Sequence, residues 1–219
     1  MIVRAVLAYG LRRKLIDDNP GLDVERHAVR YSGDYDWYAR EEVDALVRAA
    51  AGEQDAAIYL AAALTGIRRG ELLALRWRDI DFAGQAIRVR ANLSQGEVVT
   101  PKSGKVRTIP MVPVAAHVLA QLGQRERFTE DDDPVFCSGN GGHLDPSALR
   151  RRYVAAAKRA GLRPLPFHSL RHHFGSTAID VASVVQVKEW MGHSEVATTM
   201  RYLHHSEPHD RRGAAGAGL

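Results

Sequence analysis

The chain has a single cysteine, Cys137, which leaves no partner for an intrachain disulfide and no thiolate cluster for a metal. It has no run of about 18 apolar residues, so no segment reads as a membrane-spanning helix. The opening stretch MIVRAVLAYGLRRKL has arginines within its apolar run and no signal-peptide cleavage pattern, so a cytoplasmic location is expected. Lysine is scarce: only five of the 30 basic residues are lysine and 25 are arginine. Acid is missing altogether from Pro146 to Ile179, a stretch that holds Arg150, Arg151, Arg152, Lys158, Arg159, Arg163 and Arg171. What is present is ordinary globular material, with 45% apolar and 26% charged residues in 219. That length suits one large domain, or one domain with a remnant of a second.

The net charge of +4 is small, so the kind of charge carries the information. The planar fork of arginine matches phosphate oxygens better than an ammonium does, although coding bias also enriches arginine. A one-signed stretch raises a local positive field, the footprint of a polyanion partner. Nucleic acid is the partner these features favour.

Periodicity divides the chain. Val3, Val6, Leu7, Leu11 and Leu15 form a helical stripe over Ile2 to about Ile16, and Asp17-Asp18-Asn19-Pro20-Gly21 stops it. Residues 1–20 are therefore expected to be the end of a domain mostly absent here, and 21–38 a linker. The main domain is expected over 39–205. Helices are expected at Glu41 to Ala51, Gln54 to Leu64, Arg69 to Leu75 and Val112 to Leu122. More follow from Asp145-Pro146, and at His168 to Ile179, Val184 to Trp190 and Val196 to His204. Between the third and fourth lie three strand-like segments, Ala86 to Arg90, Glu97 to Thr100 and Val106 to Ile109, with Ser103-Gly104 as a turn. The expected fold is mostly α with a small antiparallel three-stranded sheet (α+β). A flexible tail is expected over 206–219.

Potentially reactive side chains fall into four short islands. In Thr65-Gly66-Ile67-Arg68-Arg69-Gly70-Glu71, Arg68 and Glu71 stand three apart and can meet, as any helix-start ion pair would. Thr100-Pro101-Lys102-Ser103-Gly104-Lys105-Val106-Arg107 reads as a basic hairpin tip. In His168-Ser169-Leu170-Arg171-His172-His173, His168, Arg171 and His172 share one helical face. An imidazole beside a guanidinium is poor core material, and the nearest downstream acid, Asp180, is too far to pair, so an anion between them is the better account. The last island joins Met191-Gly192-His193 to Thr198-Thr199-Met200-Arg201-Tyr202.

Together these motifs resemble the tyrosine recombinases of the phage integrase family, over about Ala39 to His205. The matching stretches are Thr65 to Trp77, Pro101 to Pro110, His168 to His172, Met191 to His193 and Thr198 to His204. The departures are His173, where threonine is usual, and Met191, where leucine is usual. The resemblance implies that family's catalytic-domain fold, with residues 1–20 as the last helix of its core-binding domain. It also implies a catalytic set of Arg68, Lys102, His168, Arg171, His193 and Tyr202.

In that set Tyr202 would attack a DNA phosphodiester to give a 3′-phosphotyrosine and a free 5′-hydroxyl. A phenol of pKa about 10 is a poor nucleophile at neutral pH, so flanking cations and a nearby imidazole would have to help it. Arg68 and Arg171 would clamp the non-bridging oxygens and His193 would add a hydrogen bond. His168 would accept the proton or position the tyrosine, and Lys102 would protonate the leaving oxygen. Glu71 would orient Arg68. Further DNA contacts are expected from Arg69, Lys105, Arg107, Arg150 and Arg151. The resemblance implies strand exchange without metal, ATP or other cofactor, on double-stranded DNA, by a homotetramer whose protomers are monomers in isolation. A catalytically weak DNA-binding remnant is one alternative. A metal-dependent hydrolase built on His168, His172 and His173, with His204 and His205, is another, but no acid stands beside them in a zinc-protease pattern and no carboxylate cluster suits magnesium.

Overall fold

The computed structural model describes residues 2–24, 36–100 and 106–203. The chain divides into two compact units, residues 1–34 and 35–219. In the first unit, α1 (Ile2–Arg12) stops short of the expected Ile16. Lys14 turns into the left-handed region at φ 55°, and the Leu15 amide bonds back to the Gly10 carbonyl at 2.9 Å, a Schellman closure. The Arg4 guanidinium then donates to the carbonyls of Gly21, Leu22 and Val24, folding the following segment back along the helix. Val3, Val6 and Leu15 of its apolar stripe are exposed.

The second unit opens with α2 (Arg40–Arg48), α3 (Glu53–Thr65) and the short α4 (Arg69–Leu73). A 3-10 turn, Trp77–Asp79, leads into β1 (Ile80–Asp81), β2 (Ala86–Val89), β3 (Asn92–Ser94), β4 (Glu97–Val99) and β5 (Arg107–Pro110). Then follow α5 (Pro113–Leu122), α6 (Pro146–Arg159), α7 (Ser169–Ala178), α8 (Val184–Met191) and α9 (Val196–Met200). No helix among the described residues is long and apolar enough to cross a membrane.

The expected mix of helices and a small antiparallel sheet is present, but the strand pairing differs. The three-stranded sheet runs β1-β2-β5, with Ile87 opposite both Ile80 and Ile109. Glu97–Val99 belongs elsewhere, to a separate ladder with Asn92–Ser94. Gln95 and Gly96 both take positive φ, 53° and 86°, which is the two-residue turn that closes a tight hairpin. Neither β1, two residues long, nor β3, three, carries enough alternation to be read as a strand. Ser103-Gly104 lies outside the described residues.

The core forms around α3, which is apolar nearly all round. Ala57, Ala61, Ala62 and Ala63 are buried beside Ile58 and Tyr59, and their small side chains let neighbouring helices come close. α2, α5 and α7 all pack on it. Tyr59, Tyr153 and Phe167 meet edge to face, with centroids 5.2–6.4 Å apart, and join α3 and α6 to the segment before α7. His173 has a structural place: it is buried, and its Nδ1 lies 2.9 Å from the Tyr38 carbonyl. Burial lowers its pKa, so the neutral ring suits that hydrogen bond.

Candidate active site

Helix α8 leaves its last carbonyls without helical partners, as every helix does. Gly192 ends it in the left-handed conformation at φ 64°. Three consecutive carbonyls at this end each receive a different arginine. Trp190 O accepts from Arg107 Nε at 2.9 Å, Met191 O from Arg171, and Gly192 O from Arg68 at 2.6 Å. The negative end of the helix dipole favours cations there. The three donors come from β5, α7 and the segment before α4, so the end of α8 gathers guanidiniums from elements far apart in sequence.

Each arginine is also fixed from its other side. Arg171, only 3% exposed, donates in addition to Gly66 O, where α3 ends. It makes no ion pair with a carboxylate among the described residues. Burial and the neighbouring Arg68 push its pKa down to about 9, which still leaves it protonated at neutral pH. Arg68 and Arg107 converge instead on Glu71, itself 3% exposed. Glu71 Oε1 accepts from Arg68 at 3.0 Å and from Arg107 at 2.8 Å. Oε2 accepts from the Arg68 amide at 3.0 Å and from Arg107 at 2.6 Å. Burial alone would raise the carboxyl's pKa, but the hydrogen bond and charge of Arg107, with Arg68, outweigh it and hold it below the usual range. The site thus gathers three guanidiniums, of which Arg68 and Arg107 share the Glu71 carboxylate, and this excess of positive charge suits an anion.

Tyr202 follows α9 and lies over α7. Its hydroxyl is 2.9 Å from His172 Nδ1. Its ring stacks on His193, with centroids 6.4 Å apart and planes 12° from parallel. His193 Nδ1 is in turn 2.8 Å from Thr199 Oγ1 of α9. His168 stands one ring further along, edge-on to His172 at 4.8 Å. All three imidazoles are held neutral. Burial, then Arg171, then Arg68, lower His168 to about 4 and His193 to about 3; burial, His168 and Arg171 lower His172 to about 4.

The tyrosine can lie there because residue 175 has no side chain. A Cβ at Gly175 would sit 2.5 Å from Tyr202 Cζ. Gly175→Ala is expected to lift the phenol off α7 and to cost about 1–3 kcal/mol, the usual range for overpacking. Urea unfolding reads the stability, and tetranitromethane should nitrate Tyr202 faster in the variant than in the parent.

Five of the six expected catalytic residues are described, and they gather around the end of α8 and the adjoining face of α7; Lys102 lies outside the described residues, as does Lys105. Glu71 orients Arg68 as expected, but it binds Arg107 more fully. Arg107 was expected to meet DNA, yet the structure turns it inward, with its side chain 12% exposed and its donors engaged by Glu71 and Trp190. Arg69, Arg150 and Arg151 are exposed. Arg69 and Arg150 line a concavity of about 1090 Å³ with Lys158 and His168, floored by Tyr153 and Phe167. The position on the phenol that sequence reasoning gave to His168 belongs to His172. The four-residue spacing puts both histidines on one face, but nothing local says which one a tyrosine 30 residues away will reach. Among the described residues, no group of three or more His, Cys, Asp or Glu side chains is placed to hold a metal.

Comparison with known proteins places this arrangement. Residues 37–209 match the Phage integrase family. A Mycobacterium tuberculosis protein that carries the name prophage phiRv2 integrase is 32% identical over 228 residues, covering 98% of this chain and 59% of its own length. The chain thus spans about half the length of the curated relatives it matches. The crystal structure of XerA recombinase superposes with a TM-score of 0.66 at 25% identity, covering 95% of this chain and 70% of that one. The Tn1549 transposon integrase, solved in complex with circular intermediate DNA, superposes at 0.72 and 20% identity, covering 91% of this chain and 73% of that one. The protein with three arginines on the end of α8 and a phenol against His172 belongs to the phage integrase family.

Proposed function

We propose that this chain is the catalytic part of a site-specific DNA recombinase, in which Tyr202 attacks a phosphodiester of double-stranded DNA. One observation carries the reading. The Tyr202 hydroxyl shares a histidine-lined site with Arg68 and Arg171, which are held side by side on the adjacent carbonyls of Gly192 and Met191. A phosphate between those guanidiniums meets two forked donors as negative charge builds on the pentacoordinate phosphorus. With His193 Nδ1 facing Thr199, its other ring nitrogen is the one to meet a phosphate oxygen. His168, at the rim of the site with its ring edge-on to His172, would lie beside the DNA backbone. Lys102 would give a proton to the departing 5′-oxygen. The bond to tyrosine keeps the phosphoryl group activated, so a 5′-hydroxyl from another strand reseals it without metal or ATP.

The DNA complex of the Tn1549 integrase supports duplex DNA as the partner. Arg69, Arg150 and Arg151 are the exposed cations for its backbone. Residues 39–205 would be the catalytic domain and residues 1–20 the last helix of a core-binding domain. Strand exchange would take four protomers on DNA, each monomeric when free.

The test is a nicked suicide duplex incubated in EDTA and resolved on denaturing gels. A covalent protein–DNA band is expected from the parent chain and none from Tyr202→Phe. An equal band from Tyr202→Phe, or loss of the parent's band in EDTA, contradicts the reading. Initial DNA binding should also weaken steeply with salt, as phosphate-dominated contacts do.

A further inference from the structure

We propose that His172 is a catalytic residue that takes the phenolic proton of Tyr202 as the tyrosine oxygen attacks phosphorus, and returns it when the strand is resealed. The proposal rests on the recombinase reading above and assigns a role at the same site.

Geometry comes first. His172 Nδ1 is 2.9 Å from the Tyr202 hydroxyl, within hydrogen-bond reach of the proton that must leave. Helix α7 places residues 172 and 175 three apart, on one face. That face therefore offers an imidazole to the hydroxyl and, at Gly175, a gap for the ring behind it. The planes of the two rings are tilted by 47°, with centroids 5.9 Å apart, so the contact is made by the polar atoms rather than by stacking. His193 lies along the ring with its Nδ1 turned to Thr199, and His168 meets the imidazole rather than the phenol.

Charge comes second. Among the described residues, the titratable and charged groups around His172 include His168 and Arg171 on its own helix, Tyr202 after α9 and His193 after α8; Arg68 flanks His168 and His193. Burial, His168 and Arg171 hold the ring neutral, with a pKa lowered to about 4. A neutral ring accepts a hydrogen bond from the phenol but is a weak base. A phosphate seated on Arg68 and Arg171 offsets the cationic field that lowers the ring, so its basicity rises when DNA is in place. The base is thereby coupled to its substrate.

The step balances. The Oη–H bond of Tyr202 breaks and its proton passes to Nδ1, giving an imidazolium. The electron pair left on Oη forms the bond to phosphorus. The bond from phosphorus to the 5′-oxygen breaks, and that oxygen leaves with a proton from a general acid, the role the recombinase reading gives to Lys102. Resealing reverses each transfer, and the imidazolium gives its proton back to Oη.

The experiment measures single-turnover adduct formation on the nicked suicide duplex, with DNA in excess, between pH 5 and pH 9. It compares the parent with His172→Ala and His172→Gln. Circular dichroism and DNA binding confirm that the variants fold and bind. Both variants are expected to react about 10²-fold more slowly, within the usual range for a general base. Added imidazole should restore part of the rate to His172→Ala, where it fills the vacated space. The parent rate should fall on the acid side as His172 protonates, and this limb should vanish in both variants. Glutamine keeps a hydrogen bond to the phenol but cannot take a proton. A parent-like rate in His172→Gln, or an unchanged acid limb in His172→Ala, overturns the proposal while leaving Tyr202 as nucleophile. No adduct from the parent chain itself overturns both.

Discussion

Arg171→Lys is expected to lower the rate of covalent adduct formation about 10²–10³-fold, the usual effect of removing one preorganised oxyanion donor. The substitution keeps the charge and loses the fork. Arg171 spans two carbonyls, Gly66 O at the end of α3 and Met191 O at the end of α8. An ammonium on a flexible stem cannot bridge both and still face a phosphate. One buried carbonyl would be left without its donor, at about 1–3 kcal/mol. Single-turnover rates on the suicide duplex read the first effect, and urea unfolding reads the second. A lysine variant that reacts at the parent rate would show that charge alone suffices and that the bridging geometry is incidental.

The second large effect is on stability. Glu71→Gln is expected to destabilise the fold by about 3–5 kcal/mol at pH 7, because it removes a buried carboxylate from the largely buried guanidinium of Arg107 and from the half-exposed one of Arg68. The amide is close in shape, so the loss reports charge and hydrogen bonding rather than a cavity. The pH dependence follows from the direction of the shift. Arg107 and Arg68 hold the folded carboxyl below its ordinary value of 4.5. Its contribution is therefore complete above 4.5 and is lost as pH falls through the lower folded value. The gap between parent and variant should be full at pH 7 and should narrow on acidification. Urea midpoints across that range measure it, and a gap independent of pH would point to packing.

The candidate motifs were legible because each is local. Thr65 to Glu71 sets an arginine three residues before an acid, and His168 to His172 fixes a helical face within five residues. What was hidden depends on tertiary contact. Arg107 reads as one more cation of a basic hairpin, since only the fold brings β5 under α8 and over Glu71. The acid-free stretch from Pro146 to Ile179 suggested a polyanion surface, yet part of it is neutralised from outside. Arg152 pairs with Asp55, Arg163 with Asp36 and Glu42, and Arg159 donates to the Ala49 carbonyl. Arg150, Arg151 and Lys158 remain exposed. The strand pairing differs from expectation for a related reason. β1 and β3 are too short to show alternation, and Gln95-Gly96 sends Glu97–Val99 back onto β3 rather than on to β5.

The positions of His172 and Gly175 teach the same lesson at the reacting atom. A histidine beside a predicted catalytic arginine looks like a neighbour in sequence, and a glycine in a helix looks like a weak point. Over α7 they become the partner and the floor of one phenol, because α9 returns Tyr202 to that face. The positive sign of the site was legible from Arg68 and Arg171, but only the fold adds Arg107 to them.

The account rests most directly on which atom joins the DNA. The covalent complex from the suicide duplex can be digested with nuclease and protease, and the nucleotide-bearing peptide sequenced by tandem mass spectrometry. The expected result is a phosphate ester on the Tyr202 oxygen, with the peptide unmodified at every other position. A phosphate on any other residue would contradict the account.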